Sequence, residues 1–237
     1  MKVTLINCTP NPVETLIFTK QTRLNMGAAR WDEVMALSYE EKMNEIAYMA
    51  DSIPSSWEFV DFIFAIEGVS RGFTHQFVRT RTNSYAQQSM RVTDMGGFQF
   101  TTGPGIQESA GLRLEYSGAM QAISSMYNKL LEMGAPIEDA RGILPTNIAT
   151  NIVAKINLRT LSDMARSRTG GRTQSEYRDV MDEMINCVLD DHHWTGHFLF
   201  PKGRKFFDEV EMYARSMPNA EAKGRLMKII DKMRKAL

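Results

Sequence analysis

Residues 57–71 read Trp-Glu-Phe-Val-Asp-Phe-Ile-Phe-Ala-Ile-Glu-Gly-Val-Ser-Arg, and this stretch decides the fold class. The aromatic and β-branched residues from Trp57 to Ile66 predict a strand, because such side chains fit a pleated, half-buried surface. Gly68 and Ser70 end it, and Ser70 offers the side-chain oxygen favoured at a helix N-cap. A helix over 70–81 is expected next, with Arg71, His75 and Arg79 at every fourth position and therefore on one face. Two guanidiniums and an imidazole make a poor core surface, so that face looks to solvent or to a polar site.

The chain continues over 79–91 as Arg-Thr-Arg-Thr-Asn-Ser-Tyr-Ala-Gln-Gln-Ser-Met-Arg. Guanidinium groups are permanently charged, fork-shaped donors suited to phosphates and carboxylates. Crowding three of them costs repulsion unless an anion sits among them. An arginine pair alone is more often a solvated or ion-paired helix face, and Ser89 alone is a loop serine without a histidine-aspartate pattern to make it a nucleophile.

Outward from this centre, Met1–Cys8 alternates as a strand that stops at Thr9-Pro10-Asn11-Pro12. Glu33–Met49 reads helical, with Ser38 and Glu41 at capping-box spacing and a possible restart at Ser38. Pro54-Ser55-Ser56 ends that helix. Gly96–Thr102 is a second strand candidate, Gln107–Met133 a long helix, and Pro136 opens a short helix containing Arg141. Residues 146–167 read as helix, ended by Gly170-Gly171. Thr173 and Glu176 have capping-box spacing before a helix to about Asp190. In 219–237, Leu226, Ile229, Ile230 and Met233 share a face that fits packing on the protein itself or on a subunit. The class is α+β, helix-dominated.

With 237 residues, 43% of them hydrophobic, the chain can bury a sizeable core, and one large domain is expected. Lysine plus arginine equals aspartate plus glutamate at 28 each, so net charge attracts neither nucleic acid nor acidic membranes. Two cysteines, Cys8 and Cys187, are too few for a disulfide framework and fit a reducing compartment. No apolar run approaches the ~18 residues of a membrane helix, and the N-terminal apolar segment is too short for a signal peptide. A soluble, cytoplasmic protein is expected. His192-His193-Trp194-Thr195-Gly196-His197 has no glutamate between its i,i+4 histidines and a glycine against helix, so no metal is expected there.

Taken in order, the motifs resemble the flavin-dependent thymidylate synthases. Arg79-Thr80-Arg81, seven residues, then Ser89 resembles the family's Arg-His-Arg-x7-Ser signature, with Thr80 in place of histidine. Glu58 with Phe62 and Phe64 resembles Glu-His-x-x-Phe-x-Phe, and Ser70-Arg71 with Thr74-His75-Gln76 resembles Ser-Arg-x-x-x-His-Gln/Glu. Ala140-Arg141-Gly142-Ile143-Leu144-Pro145 matches Ala-Arg-x-x-Leu-Pro, and Asn157-Leu158-Arg159-Thr160-Leu161 matches Asn-x-Arg-x-Leu. Arg168 before Thr173-Gln174-Ser175-Glu176 matches the arginine ahead of Ala-Gln-x-Glu-Ile. A fainter match lies at Ala28-Ala29-Arg30.

The resemblance implies one helix-dominated domain over 1–237 with a small, mainly antiparallel sheet, assembled as a homotetramer with shared active sites. It implies reductive methylation of deoxyuridylate (dUMP) to thymidylate, with FAD as cofactor and NADPH and methylenetetrahydrofolate as co-substrates. By resemblance, Gln76, Arg79, Gln87, Gln88, Ser89, Met90, Arg91 and Arg141 hold dUMP, with Ser89 and Arg91 at the phosphate. Arg79, Thr80, Arg81, Gln87, Asn157 and Asp163 contact FAD, with Ser55 reaching it from a neighbouring subunit. Arg168 lies on the uracil edge as the catalytic cation. The residues also leave open C5 methylation or hydroxymethylation of UMP or dCMP, and a non-catalytic nucleic-acid module that zero net charge disfavours. Neither cysteine adjoins the arginines in sequence, which suits flavin chemistry over a thiol nucleophile.

Overall fold

The computed structural model describes the chain except residues 26–29, 201–209, 211, 218 and 235–237. Four strands, β1 (Lys2–Cys8), β2 (Asp61–Ser70), β3 (Ser84–Gln87) and β4 (Ala149–Asn157), form one sheet in the order β1-β2-β4-β3. β1 pairs antiparallel with β2, and β3 with β4. The central pair is antiparallel too, since the Arg71 N–H meets the Ile148 carbonyl at one end and the Leu158 N–H meets that of Val60 at the other. The helices along the chain are α1 (Pro12–Asn25), α2 (Trp31–Ala36), α3 (Tyr39–Ser52), α4 (Arg71–Phe77), α5 (Pro104–Gln107), α6 (Ala110–Glu132), α7 (Ile137–Ala140), α8 (Leu158–Arg168), α9 (Ser175–Asp191) and α10 (Gly196–Leu199), and a last one spans Ala220–Arg234. The α+β, helix-dominated class with a small, mainly antiparallel sheet is therefore observed.

Contacts group the chain into two compact units, each built from separated segments. One holds Met1–Cys8, Asp61–Ile156 and Thr173–Cys187, and the other holds Thr9–Val60, Asn157–Arg172 and Val188–Leu237. The sheet belongs to the first. Its buried face comes from strict alternation: Phe62, Phe64 and Ile66 of β2, with Thr150, Ile152, Ala154 and Ile156 of β4. Each fully buried Phe or Ile contributes about 1.5–3 kcal/mol by leaving water. In the second unit, Leu16, Ile17, Ile46, Met49, Trp57 and Leu161 are buried.

Several expected boundaries move, each for a local reason. Trp57–Phe59 is not strand but the end of a 3-10 turn, Pro54–Phe59. The Trp57 indole donates to the Met49 carbonyl at 3.1 Å and meets the Phe198 ring edge-on at 4.9 Å, which draws it away from an extended path. β2 runs through Gly68, whose φ of +67° favours a residue without Cβ, and whose N–H donates to Asn151 Oδ1 at 3.0 Å. The expected helix over Glu33–Met49 breaks at Ser38. There a full capping box starts α3, and the hydrogen bonds from Ser38 hold the Glu41 carboxyl below its usual range.

Residues 149–157, expected as helix, form β4. The inward set Thr150, Ile152, Ala154 and Ile156 repeats every second residue and prevails over the helix-forming Lys155 among them. Gly96–Thr102 contributes only a single bridge, Phe100 to Ile148, while β3 was not anticipated at all. Helix α4 stops at Phe77 instead of 81, so Arg79 leaves the face of Arg71 and His75. In the last helix Ile230 is buried and Leu226 packs beside it, but Ile229 is exposed; the Met233 side chain and Ala28-Ala29 lie outside the described residues.

Glu176, expected in a capping box with Thr173, bonds elsewhere. Its carboxylate accepts the Ser70 N–H at 2.7 Å and the Ser70 hydroxyl at 2.5 Å, while Ser70 Oγ accepts the Phe73 N–H at 2.9 Å to cap α4. Replacing Ser70 with Ala removes the cap and one partner of the carboxylate. The expected cost is about 1–3 kcal/mol, read as a lowered urea midpoint with unchanged slope.

Candidate active site

In the first unit, the Arg79–Arg81 turn is set by the aromatic packing beneath it. Phe73 and Phe77, one helical turn apart on α4, stack at 5.0 Å and meet Tyr177 edge-on. Tyr85 of β3 packs against Phe77, and its hydroxyl reaches the carbonyls of Phe77 and Thr80 at 2.9 and 3.0 Å, while Asn83 Nδ2 donates to it. Burial raises the Tyr85 phenol's pKa and keeps it a proton donor. The Thr80 N–H donates to the Phe77 carbonyl, closing the turn. Arg79 and Arg81 are exposed, and neither guanidinium has a hydrogen-bond or ion-pair partner among the described residues.

Downstream, Gln87 is fixed by donating to Thr74 Oγ1 at 2.8 Å, and the Gln76 amide donates to Gln174. The Gln88 carbonyl accepts from Arg71, and Ser89 Oγ accepts the Arg91 N–H at 3.2 Å. Met90 packs against a buried cluster of Met95, Tyr127, Ala140 and Ile148, so its side chain anchors the loop and leaves polar contacts to its neighbours. Arg91 pairs with Glu138 at 2.8 Å, and Arg141 Nε donates to the Glu138 carbonyl at 3.1 Å. Arg71 completes the group. Its Nε is buried with no partner, and burial followed by repulsion from Arg141 lowers its pKa. Arg71 and Glu138 were not singled out as ligand residues from the sequence; the Ser70-Arg71 motif was the available signal for the first.

A cleft of about 500 Å³ lies beside this region, lined among others by Gln88, Asp94, Phe98, Thr150 and Asn151. Its described lining carries no arginine.

The second unit holds the remaining expected residues. Asn157 N-caps α8, its Oδ1 accepting the Thr160 N–H at 2.8 Å, which leaves its amide hydrogens available. Arg159 pairs with Glu58 at 2.7 Å, and Leu161 is buried, so the Asn-x-Arg-x-Leu motif combines a cap, an ion pair and a core residue. Asp163 is exposed, and Arg168 is half-buried in the last turn of α8. Ser55 is exposed and accepts from Arg23 at 2.6 Å. Among the described residues no three His, Cys, Asp or Glu side chains converge to hold a metal, and Tyr39 bonds His193 at 2.8 Å.

The family model described as thymidylate synthase complementing protein matches residues 4–192. The chain belongs to the flavin-dependent thymidylate synthase family. It is 34% identical over 206 residues to the flavin-dependent thymidylate synthase of Clostridium tetani, covering 79% of this chain and 82% of that one. It is 33% identical over 203 residues to that of Nitratidesulfovibrio vulgaris, covering 80% and 82%. With that of Pyrococcus abyssi the figures are 34% over 202 residues, covering 79% of each.

The residues present suit a flavin dinucleotide and a nucleotide monophosphate. Arg79 and Arg81 offer unpartnered guanidiniums on a rigid turn, and Arg71 has an unsatisfied buried N–H. Exposed arginines without a hydrogen-bond or ion-pair partner contribute little to folding. Arg79→Ala and Arg81→Ala are expected to change unfolding free energy by less than about 0.5 kcal/mol. Tyr85→Phe, which strips the turn of its half-buried hydroxyl, is expected to cost about 1–2 kcal/mol in the same chemical-denaturation measurement.

Proposed function

We propose that the chain is a flavin-dependent thymidylate synthase that methylates dUMP at C5, taking the carbon from methylenetetrahydrofolate and the reducing equivalents from NADPH through FAD. The observation that carries this reading is the arginine group in which Arg91 and Arg141 meet at Glu138 and Arg71 is repelled by Arg141, in a chain of this family. A group of like charges with one orphaned N–H is complementary to a dianionic phosphate, which bidentate guanidiniums bind well. Ser89 supplies a hydroxyl beside Arg91, and Gln76, Gln87 and Gln88 supply amides for the rest of the nucleotide.

When bound, FAD supplies the redox chemistry that turns a transferred methylene into a methyl group. The chain's own residues bind and orient. Arg79, Arg81 and Thr80 carry the flavin contacts of the signature turn, with Asn157 and Asp163 contributing from α8 and its cap. Arg168 acts on the uracil edge: a fixed cation favours negative charge on the ring and makes C5 a better nucleophile, without reorganisation during the reaction. We read residues 1–237 as one catalytic domain and the assembly as a homotetramer with shared active sites, Ser55 coming from a neighbouring subunit.

The test is anaerobic turnover with FAD, NADPH, methylenetetrahydrofolate and, separately, dUMP, UMP or dCMP, with products weighed by mass spectrometry. A gain of one methyl on dUMP alone is expected. Preferential modification of UMP or dCMP would reassign the substrate, and absence of any product with flavin bound would overturn the activity. Arg168→Ala is expected to lower kcat on dUMP by about 10²–10³. Thr80→His restores an imidazole at a turn whose backbone is already fixed, and is expected to tighten FAD about tenfold, about 1.4 kcal/mol, in a flavin-fluorescence titration.

A further inference from the structure

The 23-residue helix α6 uses only one face within its own unit. Met120 and Tyr127 are buried. The Tyr127 hydroxyl accepts the Met95 N–H at 3.2 Å, and Asn147 donates to the Tyr116 hydroxyl at 2.7 Å. At about 100° per residue, the opposite face carries Gly111, Glu115, Gly118, Ala122, Met126, Lys129 and the C-cap Met133, all within about 40° of Ala122. Every one of them is exposed. Met126 and Met133 are 51% and 75% exposed, and Leu114 beside the stripe is 73% exposed.

The two glycines have no explanation inside the chain. A Cβ on Gly118 would meet nothing within 4 Å, and one on Gly111 only Ser109 Oγ at 3.9 Å. Glycine is a poorer helix former than Ala. What they fit is the other end of the same stripe. Gly111 and Met133, Glu115 and Lys129, and Gly118 and Met126 are each equidistant from Ala122. Two copies of α6 laid antiparallel about a two-fold axis at Ala122 set every methionine over a glycine and every glutamate against a lysine. A parallel pair would instead oppose like with like. Small residues let helix axes approach, and methionine fills the hole that they leave.

We propose that the outer face of α6 is an isologous interface, occupied by α6 of a second copy of this chain running antiparallel. The inference rests on the homo-oligomer part of the reading above and is independent of the catalytic part. Glu115 and Lys129 lie about 21 Å apart along one helix at 1.5 Å per residue, so any coupling between them reports contact between copies.

Light scattering on the full-length chain tests it, with helix content checked by circular dichroism. Glu115→Lys and Lys129→Glu are each expected to raise the subunit dissociation constant tenfold or more, and the double reversal to return it to the wild-type value. Gly118→Phe is expected to halve the wild-type mass. Ala122→Cys, which meets itself on the axis, is expected to cross-link under mild oxidation, while Gln121→Cys and the wild-type chain stay uncross-linked. Tetrameric single reversals that dissociate like the wild type, or a double reversal no better than its parents, would overturn the α6 pairing and leave the tetramer standing. A wild-type chain with the mass of one copy would remove both.

Discussion

The first unit depends on one half-buried knot, in which the Glu176 carboxylate takes both the N–H and the hydroxyl of Ser70 while Ser70 Oγ caps α4. A carboxylate that accepts two hydrogen bonds has its desolvation offset, whereas the same group with one partner removed leaves an unsatisfied charge. The knot joins the end of β2, the start of α4 and the start of α9. Arg71 is the next residue, and Phe73 and Phe77 set the floor on which the Arg79–Arg81 turn rests.

The arginines are arranged at a cost that their contacts within the unit offset only in part. Arg71 is partly desolvated, repelled by Arg141 and left with an unpartnered Nε, while Arg91 spends its charge on Glu138. Exposed ion pairs such as Arg91–Glu138 contribute about 0–1 kcal/mol, so exchange of Glu138 for a ligand phosphate is cheap. A dianion relieves the repulsion and satisfies the orphan N–H in one step. On the proposed reading, that cost is what a bound phosphate would offset.

The fold class was legible because it is written in local chemistry: Ser38-x-x-Glu41 specified its capping box and Ser70 its N-cap. What failed was decided by distant partners. Trp57 looked like strand because nothing local shows Phe198 or the Met49 carbonyl awaiting it. Residues 149–157 looked helical because Ala, Asn and Lys dilute an alternation that only pairing with β2 and β3 makes decisive. Glu176 had the spacing of a capping residue and was taken by Ser70, 106 positions away. Arg71 was visible as a motif residue, but its unsatisfied buried nitrogen is a property of packing that no spacing displays.

The same distinction explains how Thr80 can stand where the family has histidine. The turn's shape comes from backbone groups: the Thr80 N–H on Phe77, and its carbonyl on the Tyr85 hydroxyl. The side chain at 80 is not asked to hold anything in place, so its identity is free to follow the ligand. Tyr85 and Ser70 lack that freedom, because their side chains carry the hydrogen bonds that shape the site. On the proposed reading, variation at 80 would tune what is bound, while variation at 70 or 85 would disturb the backbone of the turn itself.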